Sequence, residues 1–173
     1  DASCMNMNRP QVPRLFGVAS KVLNDRGAFT FVDTVSDTES PWLLLNDSSD
    51  DNVVPAIGDE ATIIWALDKS VGDEIPYVDG RGREFKIKIV GMVARSVLQG
   101  GLLISQEAFV SRFPSDSGYL MFLFDVAGGT ERRSHVAKRF SRALETVGLS
   151  IQEAGQKLAS FNVVENTHLS IFQ

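Results

Sequence analysis

Residues 73–93 read DEIPYVDGRGREFKIKIVGMV, and this stretch decides the fold. Two strand-like runs, 73–78 and 84–93, are joined by residues 79–83, whose glycines supply the positive φ that hairpin turns need. The second run alternates between two sets of residues, Phe85, Ile87, Ile89 and Gly91 against Lys86, Lys88 and Val90. Because side chains alternate across a strand, one face is buried and the other is wet. The stretch predicts an antiparallel β-hairpin.

Upstream of the hairpin the elements are shorter. Residues 20–26 predict two helical turns ended by Gly27, and residues 28–32 alternate like a half-buried strand. Residues 53–57 predict a second strand that Gly58 and Asp59 break. Residues 61–67 are ambiguous, because their β-branched content favours a strand whereas the spacing of their apolar side chains favours a short helix.

Downstream of the hairpin, residues 102–104 predict a strand, and Ser105 is expected to cap a helix that runs to Phe113. Residues 119–126 are almost wholly apolar, which predicts a central strand covered on both faces. Residues 131–147 carry apolar side chains at helical spacing and predict a longer helix.

The last part of the chain is predicted to be a short strand at 149–152 followed by a helical pattern from Ala154 to the end. Together these elements predict an α+β fold: a mixed sheet with a β-hairpin and packed helices.

Composition narrows the classes of function. At 43% hydrophobic and 23% charged residues, the 173-residue chain is typical of a globular protein. The formal net charge of -5 argues against a nucleic-acid partner. The single cysteine, Cys4, has no disulfide partner within the chain, and with two histidines it cannot complete a Cys/His zinc cage. The acidic loop of Asp47, Asp50 and Asp51 lacks the residue order of a calcium loop.

Catalytic motifs are absent from the sequence. It contains no G-x-S-x-G elbow, no H-E-x-x-H pair and no Walker lysine loop, and its Gly80-Arg81-Gly82 lies within the hairpin turn rather than after a strand. A serine hydrolase would have to recruit His135 or His168, both of which are better explained as surface or interface residues on helices. We therefore expect no enzymatic activity, no metal and no cofactor.

Several stretches resemble the permeases of FtsX-like, MacB-type ABC transporters. Residues 164–173 (VENTHLSIFQ) are similar to the segment that enters the second transmembrane helix of these permeases. Residues 71–75 (VGDEI) and 85–93 (FKIKIVGMV) resemble the "G-d-x-I … f-x-V-x-G-x-v" core of their extracytoplasmic domain. Residues 1–10 and 97–114 are similar to a large-permease branch of the same family.

The resemblance implies a MacB-like periplasmic core domain held outside the cytoplasmic membrane. Residues 1–52 would be a lead-in with a segment of an inserted subdomain, and residues 53–173 the α+β core that ends at the entry to a transmembrane helix. By the same analogy residues 60–67 form a short helix. The uncapped apolar pattern at the C-terminal end leads us to expect a longer protein, with about 20 apolar residues after Gln173.

The function implied is to couple cytoplasmic ATP hydrolysis to substrate export, lipoprotein release or mechanotransmission in the envelope. The implied partners are a cytoplasmic ATPase subunit, a second permease and a periplasmic or outer-membrane protein. We expect coupling to the transmembrane helix to involve five residues near the C-terminal end, Asn162, Glu165, Asn166, Leu169 and Phe172.

One alternative stays open beside the transporter hypothesis. The hairpin could belong to a small barrel within a free-standing ligand- or protein-binding module. Such a module would be stable without flanking helices and would have no neighbouring ATPase.

Overall fold

The computed structural model describes residues 12–48, 50–116, 118–144, 148 and 150–160. It is a mixed α/β structure that contains a mixed sheet and several helices. The chain divides into two compact units, Asp1–Ser117 and Gly118–Gln173.

The first unit is built on a six-stranded sheet. Its strands, in chain order, are β1 (Arg14–Val18), β2 (Phe31–Thr34), β3 (Val53–Asp59), β4 (Glu74–Val78), β5 (Glu84–Val93) and β6 (Gly101–Ser105). The spatial order is β1-β6-β3-β5-β2, and β4 also pairs with β5. The pairs β1–β6 and β3–β5 are parallel, and the others are antiparallel. The predicted mixed sheet is confirmed.

Strand β5 organises this sheet, and the predicted hairpin is confirmed as β4 and β5. Alternation of buried and exposed side chains holds along the first half of β5, whereas residues 89–93 are all buried. Gly91 lies in this second half, where an added Cβ would come within 3.1 Å of Phe31 and 3.3 Å of Ile57. Glycine at this position therefore allows β5 to lie close to the side chains of Phe31 and Ile57.

Two hydrophobic clusters form the core. Successive residues of β6, Leu102 and Leu103, belong to different clusters, so the clusters lie on opposite faces of the sheet. The first cluster contains the buried side chains of the hairpin, among them Phe85 and Ile87. The second surrounds Trp42, whose indole N–H donates to the carbonyl of Ala28 at 2.8 Å.

Helices flank the sheet in the first unit. They are α1 (Ser20–Asp25), a 3-10 helix (Pro41–Asn46), a π-helix (Ala61–Ala66) and α2 (Gln106–Arg112). The ambiguous segment is thus helical, as the resemblance implied. The predicted cap is also confirmed, because the Ser105 side chain accepts a hydrogen bond from the amide of Ala108 at 3.2 Å.

Two strand boundaries in the first unit were predicted wrongly. β2 begins at Phe31 rather than at residue 28, because Phe29 has φ 65 and the Ala28 carbonyl is held by Trp42. β3 continues through Gly58 and Asp59, which pair with Met92 and Val93 of β5. In both places a distant partner determines where the strand begins or ends.

The second unit contains α3 (Thr130–Leu144) and a helical stretch at 154–160. The predicted helix at 131–147 is confirmed through Leu144, and its last three residues lie outside the described part. The helical pattern predicted from Ala154 holds for 154–160, and residues 161–173 lie outside the described part.

The predicted central strand at 119–126 is wrong, since these residues form neither helix nor strand and residues 119–124 are each more than half exposed. An apolar run becomes a central strand only where other strands pair with both of its edges. Within the second unit, the described residues form no strand that could pair with this run. A short strand was also predicted at 149–152. Its residues 150–152 are irregular, and Leu149 lies outside the described part.

Candidate functional site

The tip of the β4–β5 hairpin is organised by the carboxylate of Asp79. Its Oδ1 accepts the backbone N–H of Arg81 at 2.8 Å and that of Arg83 at 2.9 Å, and its Oδ2 accepts the Arg83 Nε at 2.9 Å. These bonds, foremost the one from the Arg83 amide, lower the pKa of Asp79 from 3.8 to about 2. The Asp79 side chain is fully buried, so the turn is held by an ionised, fully bonded carboxylate.

Arg112, the last residue of α2, connects this tip to two other segments. Its carbonyl accepts the N–H of Gly80 at 3.1 Å, and its guanidinium lies 4.7 Å from the centre of the Phe85 ring. The same guanidinium donates to the carbonyl of Asp51, in the loop before β3. The hairpin tip, the end of α2 and the acidic loop therefore form one connected cluster, which we call the hairpin-tip cluster.

Gly72 and Asp73 lie at the opposite end of the hairpin. Gly72 has φ 99, a left-handed conformation that favours glycine. Its N–H donates to the carbonyl of Ile89 at 2.7 Å, and the carbonyl of Asp73 accepts the Ile89 N–H at 2.9 Å. The Asp73 carboxylate accepts the N–H of Ser70 at 2.9 Å. The Gly-Asp pair thus extends the pairing with β5 beyond β4.

A buried acid, Asp59, lies where β3 meets the π-helix. It is 1% exposed, and its Oδ1 accepts the N–H of Thr62 at 2.8 Å. The Thr62 hydroxyl in turn accepts the N–H of Gly100 at 2.8 Å, in the loop before β6. Within the described part of the chain, Asp59 Oδ2 has no hydrogen-bond partner. Sequence reasoning missed this residue, although an aspartate directly before a helix is an N-cap signal.

Of the two candidate histidines only His135 lies in the described part of the chain, and there it has no hydrogen bond to a hydroxyl nucleophile. His135 is exposed on α3 and lines a shallow open groove with Thr130, Glu131, Ser134 and Lys138. No hydrogen bond joins His135 to Ser134 or to any other described side chain. His168 lies outside the described residues.

The acidic loop and the predicted coupling residues complete the set of candidates. Asp50 of this loop accepts the N–H of Asn52 at 2.8 Å. Within the described ranges, no group of three His, Cys, Asp or Glu residues is placed to hold a metal ion. The five coupling residues, Asn162, Glu165, Asn166, Leu169 and Phe172, all lie outside the described part.

Comparison with known proteins adds no relative to this description. No family model, no curated protein and no solved structure matches the chain. Among the described helices, none combines the length and the apolar character needed to cross a bilayer.

Proposed function

We propose that the chain is an extracytoplasmic domain of an FtsX-like, MacB-type ABC transporter permease. In this role it couples cytoplasmic ATP hydrolysis to substrate export, lipoprotein release or mechanotransmission in the envelope. The domain has a MacB-like fold, lies on the periplasmic side of the cytoplasmic membrane and performs no catalysis itself.

The observation that carries the proposal is the role of the motif residues within 71–93. Gly72 and Asp73 hold the open end of the hairpin against Ile89, and Gly91 gives β5 its close approach to Phe31 and Ile57. Phe85 is 1% exposed in the first core cluster. The residues that carry the resemblance therefore have structural reasons to be Gly, Asp and Phe at these positions, which is what a shared core motif requires.

A mechanical role is consistent with how the first unit is packed. Close-packed interiors transmit a displacement rather than absorb it. The hairpin-tip cluster joins α2, the hairpin and the loop before β3 through Arg112 and Asp79. In the proposed mechanism, movement of a transmembrane helix reaches the domain through residues 162–172 and changes the surface that the domain presents outside the membrane.

The proposed partners follow from this role. A cytoplasmic ATPase subunit acts through the transmembrane region, and a second permease completes the transporter. A periplasmic or outer-membrane protein binds the surface that the movement changes. The net charge of -5 gives no support to a nucleic-acid partner.

The experiment that tests this proposal uses the full-length natural protein. Its coding sequence is read past Gln173, and the protein is fractionated from cells of its own host. We expect about 20 consecutive apolar residues to follow Gln173, and the protein to stay in the membrane fraction after a high-salt wash. A chain that ends in a polar sequence and remains in the soluble fraction contradicts the proposal.

A second candidate is a free-standing binding module that contains a small barrel. One observation favours it: the Tyr77 hydroxyl of β4 donates to the carbonyl of Pro13, next to β1, at 2.9 Å. This side-chain bond links β4 to the residue before β1, although no backbone ladder pairs these two strands among the described residues. The same fractionation decides between the candidates, because such a module stays soluble.

A further inference from the structure

Residues 119–124 of the second unit expose a continuous run of apolar side chains. Their sequence is YLMFLF, which contains no charged residue. Each of the six side chains is more than half exposed, from 51% at Met121 to 73% at Leu120. Contiguous apolar exposure of this kind marks an interaction surface. We call this run the YLMFLF segment.

A chain of ring contacts attaches the YLMFLF segment to α3. The ring of Tyr119 lies 5.5 Å from that of Phe122, and Phe122 lies 6.3 Å from Phe124. The ring of Phe124 in turn lies 5.6 Å from that of Phe140 on α3. Phe140 nevertheless remains 43% exposed. The segment and the apolar face of α3 therefore form one apolar surface that the described residues leave open.

The rest of α3 is strongly basic, although the whole chain has a net charge of -5. Residues 118–144 contain five lysine or arginine residues and only two carboxylates, Asp125 and Glu131. At helical spacing, Lys138 and Arg142 lie on the side of α3 opposite Phe140. Among the described residues, no salt bridge neutralises any of the five exposed basic side chains, which are Arg132, Arg133, Lys138, Arg139 and Arg142.

This combination of a basic helix and an exposed apolar run is complementary to an anionic lipid bilayer. Helices with Lys and Arg on one face and Phe or Leu on the other lie in the plane of a membrane interface. The apolar face of α3 is small, and the YLMFLF segment adds six large side chains to it. Protein grooves recognise one regular face of a helix or strand, whereas a fluid lipid boundary accommodates six consecutive exposed side chains in an irregular segment.

We propose that the second unit binds the surface of an anionic lipid bilayer. The YLMFLF segment lies at the boundary between headgroups and acyl chains, and the basic side chains of α3 lie among the headgroup phosphates. Because the segment is neither helix nor strand, its backbone needs the water that remains at this boundary and does not enter the hydrocarbon core. This inference does not rest on the transporter proposal, because such binding uses no membrane-spanning helix.

The test mixes the 173-residue chain with protein-free vesicles and measures the fraction of protein that sediments with them. One set of vesicles is phosphatidylcholine alone, and the other contains about one third phosphatidylglycerol, which is anionic. We expect binding to the anionic vesicles to be at least about tenfold tighter. It should weaken as the salt concentration rises to about 1 M, where charges are screened beyond about 3 Å.

The basic face is tested by the triple variant Lys138→Gln, Arg139→Gln and Arg142→Gln. It should weaken binding to the anionic vesicles by about 100-fold, because each basic residue near such a surface strengthens binding by about fivefold. Circular dichroism checks that the helical content is unchanged.

The matched control removes three exposed basic residues of the first unit, by Arg26→Gln, Lys69→Gln and Arg81→Gln. It changes the net charge by the same amount and should leave binding nearly unchanged. A loss of binding as large as that of the α3 variant would overturn the proposal, since binding would then follow the net charge of the chain.

The apolar run is tested by the double variant Leu120→Ser and Leu123→Ser. It should weaken binding by about tenfold or more, because two large apolar side chains no longer enter the lipid boundary. The control is Val22→Ser with Val110→Ser, at positions that are 53% and 54% exposed on helices of the first unit. This control should bind like the natural sequence.

Tryptophan emission shows whether the segment enters the lipid. Both natural tryptophans, Trp42 and Trp65, lie in the first unit, so Leu120→Trp in a Trp65→Phe background reports on the segment. Its emission should shift to shorter wavelength with anionic vesicles, whereas that of the natural sequence should not.

Three results overturn the proposal: no binding to either set of vesicles, equal binding to both, or an unshifted emission from Leu120→Trp. Binding to polyglutamate without binding to vesicles also overturns it and indicates an acidic protein as the partner. If the natural protein is soluble but the chain binds anionic vesicles as described, the transporter proposal fails and this inference holds.

Discussion

Replacing Ile87 by alanine tests whether the hairpin is the centre of the core. Ile87 is 0% exposed and lies between its register partners Val54 on β3 and Ile75 on β4. The substitution removes three carbons, which is about 2.4 kcal/mol of transfer free energy at about 0.8 kcal/mol per carbon. The cavity left behind adds to this, so we expect a loss of about 3–4 kcal/mol in the free energy of unfolding.

A loss of this size is a large share of the total stability, which is about 5–15 kcal/mol for a typical domain. The assay is urea unfolding followed by tryptophan fluorescence in a Trp65→Phe background. Trp65 is 75% exposed, whereas Trp42 is 1% exposed in the second core cluster, so the remaining signal reports unfolding of the first unit.

Val78→Ala is the matched control for Ile87→Ala. Val78 is on the same hairpin but is 55% exposed, and its truncation should cost less than about 1 kcal/mol. Equal losses for the two variants, or a loss below about 1 kcal/mol for Ile87→Ala, would refute the reasoning that the hairpin face is the core.

Three further predictions concern single contacts. Gly58→Ala should destabilise the first unit by about 1–3 kcal/mol in the same urea assay, because the added Cβ would come within 2.7 Å of Leu102. The lowered pKa of Asp79 stabilises the folded state above pH 3.8, and this stabilisation is lost as the pH falls to about 2. Asp79→Ala should therefore lack this loss of stability between pH 3.8 and about 2. Tyr77→Phe should cost about 1 kcal/mol at neutral pH. Since burial raises the pKa of Tyr77, its contribution is lost as the pH rises above 10.0, and the variant should lack that alkaline transition.

Each of these predictions has a control or a contradicting result. Gly80→Ala is the control in the first unit, because its added Cβ would come no closer than 3.4 Å to a neighbour, and it should leave the urea midpoint nearly unchanged. An acid-unfolding curve that is identical with and without Asp79 would mean that the turn does not depend on its carboxylate. If Tyr77→Phe leaves the free energy of unfolding at neutral pH unchanged, the hydrogen bond to Pro13 does not stabilise the first unit.

The elements that could be predicted from sequence are those whose signal is local. The hairpin follows from alternation in 84–88 and from the glycines of its turn, and the helix after Ser105 follows from a cap that bonds to Ala108, three residues away. Both signals lie within a few neighbouring residues, so one segment of sequence is enough to read them.

The elements that sequence reasoning missed depend on distant partners. The start of β2 is determined by Trp42, which holds the Ala28 carbonyl 14 residues away. The burial of Asp59 becomes evident only once β3 is placed beside β5 and Thr62 is bonded to Gly100. The run at 119–126 has the composition of a central strand, but composition does not tell whether strands flank it.

The measurement that tests the central claim most directly is the side of the membrane on which the first unit lies. A single cysteine is introduced by Val110→Cys, at a position that is 54% exposed, in full-length protein from which Cys4 and all other cysteines have been removed. Intact cells of the natural host are treated with a thiol reagent that cannot cross the cytoplasmic membrane. The account predicts labelling of this cysteine before the cells are broken. Labelling only after the cytoplasmic membrane is opened would contradict it.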